Sequence, residues 1–157
     1  NVQVKNSAGG ITEIDGVGNY NQSNPVARPL PEWKVNGTLS WSKDNHRLFA
    51  MVKWVDELES DIPAGTRGFF AAVARMAGND AVAGDLGDAI IEDFTTVDLQ
   101  YNYNFGEQVF MSDTNLTLGI QNLFDEEPPH IAVVTAYDGR LHDGRGRMFF
   151  LRVSGSM

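Results

Sequence analysis

Cysteine is absent from the 157 residues. Its absence excludes a disulfide scaffold, a thiolate nucleophile and cysteine-ligated zinc. Basic residues are scarce. Twelve Lys and Arg stand against 21 Asp and Glu, giving a formal charge of −9 and a pI near 4.6. The concentrated cationic surface needed to hold a phosphate backbone is missing, so no nucleic-acid partner is expected. Long apolar runs are missing too. No run of about 18 apolar residues exists, so no transmembrane helix is expected. Transmembrane β-strands stay open, because they need only about 9–11 residues that are apolar at alternate positions. No basic segment with an apolar core follows Asn1, so no signal peptide is expected among these residues.

Catalytic signatures are lacking as well. There is no Gly-x-Ser-x-Gly elbow and no His-Glu-x-x-His pair. Gly144-Arg145-Gly146 lacks the Lys-Ser/Thr and the strand-to-helix setting of a phosphate loop. The chain is therefore expected not to be an enzyme, with no catalytic, cofactor-binding or metal-binding residues and no cofactor.

What is present is alternation. Trp33, Val35, Gly37, Leu39 and Trp41 share one side of a period-two pattern, against Lys34, Asn36, Thr38, Ser40 and Ser42. A polar turn, Lys43-Asp44-Asn45-His46, leads to a second strand over 47–56, which predicts a hairpin. Val97, Leu99, Tyr101, Tyr103 and Phe105 oppose Thr96, Asp98, Gln100, Asn102 and Asn104. Leu116, Leu118 and Ile120 repeat the pattern within 114–121, and a last strand is expected at about 146–156. Residues 1–30 leave room for one strand, and 16–31 read as a loop punctuated by Asn24, Pro25, Pro29 and Pro31. Residues 57–93 carry eight acidic side chains and two basic ones, a local balance of −6. They read as a long decorated loop with a short helix at Phe69–Ala77.

One greasy face per strand suits two all-β architectures. One is an antiparallel transmembrane barrel. The other is a soluble antiparallel β-sandwich binding module, for example a carbohydrate-binding one. Connections alternate short (43–46, 106–113) and long (57–93, 125–145), and aromatics sit near strand ends. Both features favour the barrel.

Particular segments carry a family likeness. They are Asn122-Leu123-Phe124-Asp125-Glu126-Glu127-Pro128-Pro129, Tyr137-Asp138 and Gly146-Arg147-Met148-Phe149-Phe150-Leu151-Arg152-Val153. Upstream stand Leu30-Pro31-Glu32-Trp33-Lys34 and Thr96-Val97-Asp98-Leu99-Gln100-Tyr101. In this order, from residue 30 onward, they resemble the C-terminal part of a TonB-dependent outer-membrane receptor. The chain departs from that family in ending Ser154-Gly155-Ser156-Met157, where members finish on Phe or Trp. The resemblance implies that residues 1–157 are the last five to six strands of a barrel of about 22, with the plug domain and most of the barrel absent. It implies a place in the outer membrane of a Gram-negative bacterium and a part in TonB-coupled uptake of a scarce nutrient, such as an iron chelate, a cobalamin or a glycan. The implied partners are the remaining barrel and plug, lipid and lipopolysaccharide, TonB through absent regions, and a small nutrient ligand. Loops 16–31, 57–93 and 125–145 would be external.

Few residues invite chemistry. His130 and His142 share a loop with Asp138 and Asp143, and Asp80, Asp85 and Asp88 form an acidic group. Solvated loop positions are the expectation for both, because Asp-Gly pairs are turn formers first and the acids lack EF-hand spacing. Asp98 and Arg152 would point into the lumen and pair there.

Overall fold

A computed structural model describes residues 2–5, 11–14, 16–22, 28–106 and 112–156. Pro25 and Asn24, most of the 106–113 turn and Met157 lie outside the described residues. The chain divides into two compact units. The first comprises residues 1–34, 55–94 and 128–144. The second comprises 35–54, 95–127 and 145–157.

The second unit is built on one five-stranded sheet. Its strands are β3 (Lys34–Lys43), β4 (His46–Val55), β7 (Phe94–Asn104), β8 (Ser112–Gln121) and β9 (Met148–Ser156), in the order β3-β4-β7-β8-β9. The β3–β4 hairpin turns at Asp44-Asn45, and Asp44 takes the left-handed φ of 50° that such a tight turn demands. β7 and β8 pair antiparallel, with Leu99 opposite Ile120 and Tyr103 opposite Leu116. β8 and β9 do likewise, with Leu118 opposite Leu151 and Ile120 opposite Phe149. The alternation read from the sequence thus maps onto two unlike faces. Apolar side chains such as Leu39 and Phe149, each 72% exposed, stand on one of them.

Asn122 closes the β8 end. Its backbone adopts φ 50°, and its side chain bonds Glu126 twice, accepting from N at 2.9 Å and donating to O at 2.8 Å. Asp125 then accepts from the Arg147 amide at 2.7 Å. The Asn-Leu-Phe-Asp segment is a turn staple, for which Asn and Asp suit because they tolerate left-handed φ and bond nearby backbone.

The first unit is mixed. β1 (Val2–Lys5) and β2 (Ile11–Ile14) form an antiparallel pair, where one strand was expected. β5 (Leu58–Glu59) and β6 (Ile90–Ile91) form another and bracket two helices, α1 (Ala64–Met76) and α2 (Asp80–Gly87). α1 begins after Pro63 and is capped by Ala77, and Gly78 just beyond takes a φ of 79° that suits glycine. Asn79 caps α2 by accepting from the Val82 amide at 3.2 Å. Ala71 on α1, Ala83 and Leu86 on α2, and Leu58, Ile62, Ile91 and Ile131 form the buried core with Tyr20. Each Leu or Ile so buried contributes about 1.5–3 kcal/mol.

The all-β transmembrane barrel segment is therefore corrected. The described residues make a mixed α/β arrangement of three open sheets and two helices. Alternation reports that a strand has unlike faces, but not whether a sheet closes. Here β3 and β9 are the two ends of the order and do not pair with each other. Residues 57–93 are likewise no decorated loop. Their apolar residues meet at helical spacing in a packed core. A stacked sandwich is not formed in the second unit either, where the described residues hold this one sheet.

Candidate functional site

Two places gather polar chemistry. The first is the polar face of the five-stranded sheet. Cross-strand register sets Asn102, Thr117 and Arg152 in one row, and Asn104, Asn115 and Ser154 in the next. A third row holds Gln100, Gly119 and Phe150. Gly119 is required there, because a Cβ at this position would lie 2.1 Å from the Phe150 ring. β3 and β4 add Ser42, His46, Arg47 and Phe49, and the β3–β4 turn adds Asp44 and Asn45. Together they line an open recess of about 650 Å³.

Hydrogen bonds orient this face. Gln100 Nε2 and Thr117 Oγ1 both donate to Asn102 Oδ1, at 3.2 and 2.7 Å. The Asn102 carbonyl is thus occupied and its NH₂ group remains as donor. Asn115 Nδ2 donates to Asp113 O at 3.0 Å, which leaves its carbonyl as acceptor. Donors and acceptors alternate across the recess, an arrangement that suits hydroxyl groups, which are both at once. Of the two residues expected to face a lumen, Asp98 pairs with Lys53 at 2.8 Å and accepts from the Asn122 amide at 3.0 Å. Arg152 lines the recess.

The second place lies in the first unit. Tyr20 Oη donates to Asp138 Oδ2 at 3.1 Å, across 118 residues of chain. Arg140 grips the same carboxylate, with Nε 2.9 Å from Oδ1 and Nη2 on Oδ2. Asp138 also accepts from the Arg140 amide at 2.9 Å. The Asp138-Gly139 turn expected from the sequence exists, but its carboxylate is buried and the sequence reading missed this. The Arg140 bonds, above all, hold that carboxyl down to about 2. Burial, reinforced by the Asp138 charge, pushes the Tyr20 hydroxyl up to about 12. His142, 3% exposed, packs edge-on against Phe94 with ring centroids 5.2 Å apart. Among the described residues its Nδ1 has no hydrogen-bond partner. Burial lowers its pKa to about 4, so the ring is neutral at pH 7.

Of the remaining candidates only His46 joins the recess. His46 Nδ1 lies 2.6 Å from Tyr101 Oη, with its ring against Tyr103. His130 meets Asp85 at 3.0 Å, separate in its contacts from His142. Asp80 stands in the first turn of α2 and Asp88 at its C-terminal cap. Among the described residues, no group of three or more His, Asp or Glu is placed to hold a metal ion.

No family model, no curated protein and no solved structure matches this chain. The resemblance to a TonB-dependent receptor is overturned by this result together with the mixed fold. The implied TonB-coupled uptake, the outer-membrane location, and the barrel, plug, lipid, lipopolysaccharide and TonB partners fall with it. The physical reason lies in the motifs. Asn122 and Asp125 have a complete local explanation as a turn staple, and such a staple suits any sheet that must turn there. No helix of the described residues is long and apolar enough to cross a membrane.

Proposed function

We propose that this chain is a binding module that takes a carbohydrate on the polar face of its five-stranded sheet. The observation that carries the reading is the Asn102–Thr117–Gln100 cluster, which occupies the Asn102 carbonyl and so leaves the NH₂ group of this recess-lining residue as donor, beside Asn115 with its carbonyl as acceptor. Rows of amides and hydroxyls on a sheet hold their donors at fixed spacing and lose little freedom when they engage a ligand. Phe49 adds an apolar wall for the C–H side of a sugar ring.

Screening immobilised oligosaccharides, followed by calorimetry on the best binder, tests the reading. Asn102→Ala should weaken binding about fivefold to thirtyfold, the equivalent of one or two neutral hydrogen bonds. His130→Ala, remote from the recess in sequence and contacts, should leave affinity unchanged. Binding insensitive to Asn102→Ala would refute the assignment.

A further inference from the structure

Charge on the recess runs opposite to charge on the chain. The protein carries −9, yet its recess presents Arg47 and Arg152 against the single carboxylate of Asp44. Six units of the negative excess belong to residues 57–93, which lie in the other unit. Both arginines are exposed, and among the described residues neither has a carboxylate partner. Elsewhere in the same sheet unit Lys53 is paired with Asp98, and Arg147 reaches Asp125 at 3.5 Å. Lys43 on β3 also lacks a carboxylate partner among the described residues, but it does not line the recess. Arg47 and Arg152 are the recess-lining cations free to meet an anion.

Arginine suits this position for a specific reason. Its planar guanidinium offers parallel N–H donors that match a carboxylate with two bonds at once, and it never loses its charge. Arg47 is on β4 and Arg152 on β9, three ladder spacings apart, about 14 Å at ordinary strand spacing. Neutral amide and hydroxyl rows fill the interval. A short oligomer bearing acids at intervals suits two cations whose strands stand that far apart.

We infer that the ligand of this face is an acidic oligosaccharide, a uronate-containing chain whose carboxylates dock on Arg47 and Arg152 while its hydroxyls meet the Asn102 and Asn115 rows. This inference rests on the carbohydrate reading above and adds the sugar class. Asp44 limits it to one end, since a carboxylate beside Asp44 would be repelled. The acidic group nearest Arg152 therefore dominates.

Calorimetry with the full chain tests it, using an oligogalacturonate and its neutral galactose counterpart of equal length. The acidic oligomer should bind at least tenfold more tightly in low salt, with the margin shrinking as salt is added. Arg152→Gln should weaken the acidic ligand about tenfold more than it weakens the neutral one. Arg47→Gln should act the same way, more weakly. Equal affinity for both oligomers, with Asn102→Ala still weakening each, would overturn the acidic preference and leave the carbohydrate reading intact. Failure of both oligomers to bind would overturn both. A parallel loss for both ligands in Arg152→Gln, with an unchanged circular dichroism spectrum, would also overturn the acidic assignment.

Discussion

His142 makes the first unit sensitive to mild acid. The ring is buried against Phe94, and among the described residues its Nδ1 has no partner. The charged groups acting on it are Asp138, which favours the protonated ring, and Lys34, which opposes it. Desolvation outweighs both and lowers the pKa from 6.5 to about 4. Because the unfolded chain binds the proton more readily, folding stability is complete above pH 6.5 and is lost as the pH falls to about 4. A displacement of that size corresponds to about 3 kcal/mol. For a domain whose whole stability is of order 5–15 kcal/mol, that is a large fraction. The perturbation is His142→Phe, which keeps an aromatic ring against Phe94 and has nothing to protonate. It also removes an unsatisfied buried nitrogen, so stability at pH 7 should hold or rise. Urea unfolding followed at 222 nm reports on this unit, because α1 and α2 both belong to it. The wild type should lose about 3 kcal/mol between pH 7 and 4, and His142→Phe should lose far less. Parallel losses in the two proteins would refute the reasoning.

Three further outcomes follow from the same structure. Tyr20→Phe deletes a hydrogen bond to a buried carboxylate and should cost about 1.5–3 kcal/mol in urea melts. The Asp138 carboxyl is lowered from 3.8 to about 2, so its contribution is complete above pH 3.8 and is lost as the pH falls toward 2. It amounts to about 2 kcal/mol, and Asp138→Asn should abolish that acid step in titrations at fixed urea while lowering stability at pH 7. Gly119→Ala drives a methyl into the Phe150 ring and should cost about 1–3 kcal/mol in thermal melts, with Phe150→Ala restoring part of the loss.

The strands were legible because alternation is local. Lys34–Lys43 and His46–Val55 lie within a residue of the stretches read from the sequence, and the turn between them falls where Asp44-Asn45 places it. The rows that now define the candidate site were legible in part. Asn102 and Asn104 were on the polar side of their strand, but their alignment with Thr117 and Asn115 is a matter of register between strands. Helices were underestimated. Glycines at 65, 68, 84 and 87 weaken local helix propensity, yet the apolar spacing of Phe70, Ala71 and Ala74 on α1, and of Val82, Ala83 and Leu86 on α2, prevails once a common core buries it.

By itself, the sequence determined which residues alternate, where turns interrupt them, and that cysteine chemistry and a broad cationic surface are absent. Those properties depend on neighbours within a few positions. Tertiary structure alone decided that the five-stranded sheet stays open and that Tyr20 reaches Asp138 across 118 residues. It also decided that His142 is sealed from water and that, among the described residues, the two arginines lining the recess have no carboxylate partner. Each of these depends on contacts between segments far apart in the chain, and hydrophobic periodicity carries no record of which segments meet.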